Sequence, residues 1–199
     1  PIFEAPDELW HYGFVRDLRT GRGLPTLSPE HVSAPTPAMQ EAAQPPLYYA
    51  LAAVLTVWVP SEDLSEIVES NPSGNRGYPD LPGNKRVWIL LRPDQFPYTG
   101  EFLAVHIARL LSVGLGVLTI FATWSVAREL APQRPGVWVL AAGMNAFIPQ
   151  FIFISSAVSN DALATCTASW SLLLSIRVAR HAPSSRQVFL MGVIAGLGG

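Results

Sequence analysis

The carboxylates of this chain nearly stop at Glu101. Thirteen of its 15 acidic residues lie between Glu4 and Glu101, and only Glu129 and Asp161 follow. What remains is a set of uncharged runs. Residues 110–127 form one of 18, extendable back through Phe102; residues 136–158 form a second; residues 162–176 form a shorter third; residues 187–199 begin a fourth. Crossing a bilayer takes about 20 mostly apolar residues, and in lipid each backbone N–H and C=O must be satisfied within its own segment. The second half therefore predicts at least three membrane-spanning helices, and the fold class is an all-α integral membrane protein. Charged residues make up 14% of the chain, against about 25% in a soluble domain. The net charge of −2 gives no footing for a nucleic-acid partner. Pro149, inside the second run, predicts a kink or break in that helix.

Arginines set the orientation. The connection after the first run carries Arg128 and Arg134, and that after the third carries Arg177, Arg180, His181 and Arg186, whereas Ser155–Asp161 has no Lys or Arg. The positive-inside rule puts the arginine loops in the cytoplasm and Ser159-Asn160-Asp161 outside. Residues 1–101 then form a large external loop and residues 102–199 the membrane part, with helices at about 102–127, 136–158, 161–177 and 187–199. The apolar stretch 47–59 is the ambiguous one. Its 13 residues give roughly 20 Å of helix against a core of roughly 30 Å. Length and arginine placement favour an interfacial helix with Tyr48, Tyr49 and Trp58 as anchors. If it crossed instead, residues 1–46 would lie on the opposite side from Asp161.

The external loop predicts a helix over 7–21, opened by Pro6 and ending near Gly21. Residues 24–46 read as proline-rich extended chain, and 61–100 as an irregular loop with one short helix at 62–69. The single cysteine, Cys166, cannot form an intrachain disulfide. The first residue is Pro1 and the last, Gly199, falls inside an apolar stretch, which reads as an internal fragment.

Three groups have chemistry to offer. In Pro6-Asp7-Glu8-x-x-His11, helical spacing would let Asp7 and Glu8 share a face with His11, suiting a general base or half of a divalent-cation site. The plainer reading is an acidic helix start beside a solvent-facing histidine. Ser159-Asn160-Asp161 holds the one carboxylate after Glu129; it is either a helix N-cap or a group facing a polar cavity. His106-x-x-Arg109 opens the first span, where an arginine either snorkels to the interface or holds an anion, phosphate fitting its fork well. Two prolines, Pro45 and Pro46, fix an extended lead into Leu47-Tyr48-Tyr49.

Taken in order, the acidic pair after a proline with His11, the Pro45–Tyr49 lead, Arg109 early in the next span and Asn160-Asp161 in a later outer loop resemble membrane glycosyltransferases of the GT-C fold. The protein O-mannosyltransferase and aminoarabinose-transferase-like families, and related bacterial multispanning families, share this order. The resemblance covers most of the chain, from a first external loop to the start of about a sixth helix, and implies a multispanning helical bundle. It implies a polyprenyl-phosphate-linked sugar as donor, inverting transfer on the outer face of a bacterial plasma membrane, and Asp7 as the base. Glu8 and His11 would shape the site or hold a divalent cation, for which Mg, Mn and Zn fit equally. Arg109, with His106, would hold the lipid phosphate, and Asn160 and Asp161 would complete the site. The acceptor, whether protein, lipid or glycan, stays open. Some relatives carry His or Lys where this chain has Gln44, which puts that contact in doubt, and the 61–100 segment is longer than a minimal member needs. A polyprenyl-linked sugar transporter or flippase would also want the arginine and the membrane carboxylate, but not the external Asp-Glu pair. A scaffold subunit would need none of them.

Overall fold

The computed structural model describes residues 1–5, 7–27, 38–72, 86–180 and 185–197. Pro6, whose role in opening the first helix was expected above, lies outside them, as do residues 28–37, 73–85, 181–184 and 198–199. The chain divides into two compact units: Pro1–Ala43 with Tyr49–Ala108, and Gln44–Tyr48 with Arg109–Gly199.

The first unit is built around helix α1 (Glu8–Arg19). Glu8 in its first turn and Arg16 and Arg19 in its last match the helix dipole. The Thr20 hydroxyl donates to the Arg16 carbonyl at 2.8 Å, and Gly21 follows at φ 77°, the left-handed conformation that ends helices. Tyr12, Phe14 and Val15 are buried together with Ile2 and Phe3. Phe14 stacks on Tyr49 with ring centres 4.1 Å apart. Tyr49 belongs to α2 (Leu47–Thr56), which starts directly after the two prolines as expected. α2 has two faces: Tyr49, Ala52, Ala53 and Thr56 are buried, while Leu51, Val54 and Leu55 are exposed. The tyrosines are not interfacial anchors. Both Tyr48 and Tyr49 are fully buried with their hydroxyls bonded inside the protein, and only Trp58, 66% exposed, is free to meet an interface.

The segment expected to be external departs from an all-helical reading. Val68–Ser70 (β1) pairs antiparallel with Trp88–Leu90 (β2) in the register Val68↔Leu90, Glu69↔Ile89, Ser70↔Trp88. Three-residue strands are too short to display a period of two, so this pair was hidden in what read as an irregular loop. The expected helix at 62–69 reduces to one 3-10 turn at Leu64–Glu66, capped by Asp63, whose Oδ1 accepts from the Ser65 N–H at 3.1 Å. That bond holds the exposed Asp63 carboxyl below the usual carboxylate range. A second 3-10 turn, Met39–Ala43, interrupts the stretch expected to be extended.

α3 (Gly100–Leu130) has 31 residues and continues from the first unit into the second. In the second unit it is followed by α4 (Pro135–Ala146), α5 (Pro149–Ser155), α6 (Asp161–Arg180) and α7 (Ser185–Leu197). α3 and α6 are each long and apolar enough to cross a membrane, and α4 with α5 makes a third candidate span bent by 64°. The bend is at Pro149, as expected. Ile148 is extended, as the residue before a proline should be, and Pro149 starts the new helix. Hydroxyls inside α3 and α6 donate to carbonyls one turn back, as in Thr119 to Leu115 and Thr167 to Leu163. They therefore add no unsatisfied polar groups to an apolar span. Large side chains on α3 and α4 stand exposed, among them Leu110, Val117, Val139 and Leu140, the surface lipid would cover. The chain is an integral membrane protein, mostly helical, with a small sheet in its N-terminal half.

Candidate functional site

Asp7 sits immediately before α1, not in it. Its backbone is left-handed at φ 58°, ψ 5°, a conformation that aspartate tolerates better than most residues. Its carbonyl takes the first helical hydrogen bonds, from Trp10 and His11, each at 2.9 Å. Its carboxylate makes no cap bond and is exposed, and nothing among the described residues engages it. The grouping expected from helical spacing does not form, for two physical reasons. With Asp7 outside the helix, the i,i+4 relation to His11 does not apply. Glu8, fully buried, turns back to accept the Phe3 N–H at 2.8 Å and so holds the tight turn in which Phe3 has φ 66°.

His11 instead meets residues far along the chain. Its Nδ1 lies 2.8 Å from the Tyr49 hydroxyl and 3.5 Å from Glu41 Oε2. The His11 and Tyr49 rings stack with centres 5.9 Å apart. Among the described residues, no group of three or more His, Cys, Asp or Glu side chains is arranged to hold a metal ion. Tyr49 and Glu41 were missed because separations of 38 and 30 residues leave no trace in local spacing.

His106 is also engaged. Its Nε2 is 3.1 Å from Asp94 Oδ1, and its ring lies 3.9 Å from that of Tyr98. The segment before α3 thus folds back onto the first turns of that helix. Beneath it lies a polar node that sequence reasoning did not reach. Glu101, with no exposed surface, takes hydrogen bonds from the Tyr12 hydroxyl, Arg19 Nη2 at 2.5 Å, Arg16 Nε at 3.4 Å, Ser61 Oγ at 3.0 Å and the Glu62 N–H at 3.0 Å. One buried carboxylate joins α1, the segment after α2 and the start of α3. Burial, then the Glu101 charge beside it, pushes the Tyr12 phenol well above its ordinary range, so Tyr12 stays a donor at every physiological pH.

In the second unit, Arg109 is half-buried on α3. Asn160 is the residue at which α6 begins, its carbonyl accepting from Leu163 and Ala164 at 3.0 and 3.1 Å. Its side-chain amide points elsewhere, donating to Gln44 Oε1 at 3.4 Å. Gln44, just before the two prolines, thus contacts Asn160. Ser159 supplies the side-chain cap: its hydroxyl accepts the Asp161 N–H at 3.1 Å. Neither the Asn160 nor the Asp161 side chain is spent on capping, and the exposed Asp161 carboxylate has no partner among the described residues. Replacing Ser159 with Ala should therefore destabilise α6 by about 1 kcal/mol, read as a lower thermal midpoint in detergent. An unchanged midpoint would mean water replaces the hydroxyl without loss.

Residues 104–199 match the family model described as dolichyl-phosphate-mannose-protein mannosyltransferase. That match supports a likeness of this part of the chain to GT-C-like membrane glycosyltransferases. The mannosyltransferase match covers a little under half of the residues, including His106, Arg109, Asn160 and Asp161; Asp7, Glu8 and His11 precede it. No curated protein and no solved structure matches the chain.

Proposed function

We propose that the protein is a glycosyltransferase that moves a sugar from a polyprenyl phosphate to an acceptor hydroxyl at the outer face of the cell membrane, with inversion. The observation that carries this reading is the match of residues 104–199 to a family named for transfer from a polyprenyl-phosphate-linked mannose. The exposed and unengaged carboxylate of Asp7 supports its assignment as base. In the reaction the acceptor oxygen forms a bond to the anomeric carbon as the bond from that carbon to the phosphate oxygen breaks. The acceptor proton passes to the Asp7 carboxylate, and the polyprenyl phosphate leaves with the bonding electrons. A phosphate is a good leaving group and needs no general acid, so one well-placed base suffices. The guanidinium of Arg109 suits the role of holding that phosphate, its fork matching two phosphate oxygens. The Asp161 carboxylate, without a partner among the described residues, and the Asn160 amide are assigned to binding the sugar or acceptor.

The test uses the full-length protein in membranes supplied with radiolabelled polyprenyl-phosphate mannose and a mixture of protein, lipid and glycan acceptors. Labelled product with release of polyprenyl phosphate is expected. Movement of intact labelled donor across the membrane, with no transfer, would replace this reading with a flippase.

A further inference from the structure

A cavity of about 450 Å³ lies within the second unit, at the last turns of α3 and α6. It is lined by Trp124, Ser125, Arg128, Glu129, Pro132, Arg177 and Arg180. Three guanidiniums face one carboxylate. Arg177 Nε lies 3.3 Å from Glu129 Oε2, which ties α6 to α3 and neutralises one charge of each sign. Arg180 has no ion pair or hydrogen bond among the described residues and stands exposed one turn further along the same face of α6. Arg128 is held by aromatic faces, its guanidinium carbon 5.4 Å from the Trp124 ring and 5.7 Å from that of Trp138. The Trp138 indole N–H in turn donates to the Ala131 carbonyl at 2.8 Å, pinning the turn between α3 and α4.

Nothing in the proposed transfer uses these groups. They lie at the Glu129 end of a helix of 31 residues, about 46 Å long, whereas Arg109 lies near its start. Carbonyl ends of α3 and α6 account for arginines in their last turns. They do not account for a concave, polar-lined space with an unpaired guanidinium on one wall and a second held by two indoles on another. An arginine fixed over aromatic rings keeps its N–H edges directed away from the ring faces and loses little freedom on binding, and guanidinium edges match phosphate oxygens in pairs. The volume is within the range of small-ligand pockets.

We propose that this cavity binds a phosphate monoester or diester between Arg128 and Arg180, the chemistry of an anionic phospholipid headgroup or of a soluble phosphorylated metabolite. Both flanking helices are long and apolar enough to cross a membrane, so a headgroup would reach the cavity with its acyl chains along the exposed apolar surface.

The experiment uses the full chain in nanodiscs of phosphatidylcholine containing a minor fraction of phosphatidylglycerol. Lipid retained after detergent extraction is quantified by mass spectrometry, and binding of soluble glycerol 3-phosphate is measured in a parallel arm. Wild type is expected to enrich phosphatidylglycerol over phosphatidylcholine. Arg180→Gln, at an exposed position, should reduce that enrichment about tenfold, and Arg128→Lys, which keeps the charge and loses the fork, should reduce it by less. Arg134→Gln, an exposed arginine outside the cavity lining, should leave it unchanged. If glycerol 3-phosphate binds with the same dependence on Arg180 while phospholipid is not enriched, the site stands and its ligand is soluble. No enrichment and no soluble binding in wild type would overturn the proposal. So would an equal loss in Arg134→Gln, which would show general surface charge at work.

Discussion

Asp7→Asn should lower sugar transfer by about a hundredfold or more, the size typical of removing a general base, while the protein stays folded. The substitution is nearly isosteric and removes no structural bond, because the carboxylate makes no cap hydrogen bond and the residue is exposed. Asparagine also tolerates the left-handed backbone that this position adopts at φ 58°. A fall in activity with an unchanged thermal midpoint would therefore report chemistry and not folding. The neighbouring Glu8 provides the contrast. It is fully buried and bonded to the Phe3 N–H, so Glu8→Gln should act through stability, with activity per folded molecule largely retained. Equal transfer by wild type and Asp7→Asn would remove Asp7 from catalysis and leave the family match as a statement about the membrane half alone.

The membrane half was the more legible part of the chain. An apolar run records itself in composition, so α3 and α6 are legible as runs, although both helices continue past them into charged residues such as Glu129 and Arg180, and Pro149 marks the break between α4 and α5 because a proline restricts both itself and the residue before it. The same rule read the start of α2 from Pro45 and Pro46. The N-terminal half was less legible because its organising contacts are distant in sequence. Tyr48 and Tyr49 look like interfacial aromatics in a one-dimensional reading; only tertiary partners, Ser112 for one and His11 with Phe14 for the other, turn them into core residues. The candidate site divided in the same way. Asp161 was read as a lone carboxylate near a helix start and Asp7 as one of a pair sharing a face with His11; both carboxylates are unengaged among the described residues. The neighbours of His11 and His106 could not be found, since Glu41, Tyr49, Asp94 and Tyr98 lie outside any helical spacing from them. Glu8 misled for a local reason: the spacing to His11 was right, but a backbone N–H five residues back claimed the carboxylate first.

Glu101→Ala should destabilise the first unit by about 3–5 kcal/mol, the usual consequence of removing one partner from a buried ion pair. Arg19 and Arg16 have side chains only 2% and 9% exposed, and both would lose the carboxylate they are bonded to. Arg19 already buries its Nε without an acceptor and would keep only the Val59 carbonyl, 3.3 Å from its Nη1. The Tyr12 hydroxyl, the Ser61 hydroxyl and the Glu62 N–H would lose their acceptor as well. Against a typical total stability of about 5–15 kcal/mol, that loss is enough to unfold the unit or loosen it severely. Limited proteolysis should show it as rapid cleavage in residues 1–72, with the apolar helices after Arg109 still protected by detergent. Glu101→Gln keeps the shape and an acceptor oxygen but removes the charge, and should fall between wild type and alanine. Because the damage comes chiefly from stranded arginines, Glu101→Ala combined with Arg19→Met should be less destabilised than the sum of the two single changes, a coupling that a double-mutant cycle reads directly. Strict additivity, or a Glu101→Ala protein as resistant to protease as wild type, would show that the carboxylate is not what holds α1, the segment after α2 and the start of α3 together.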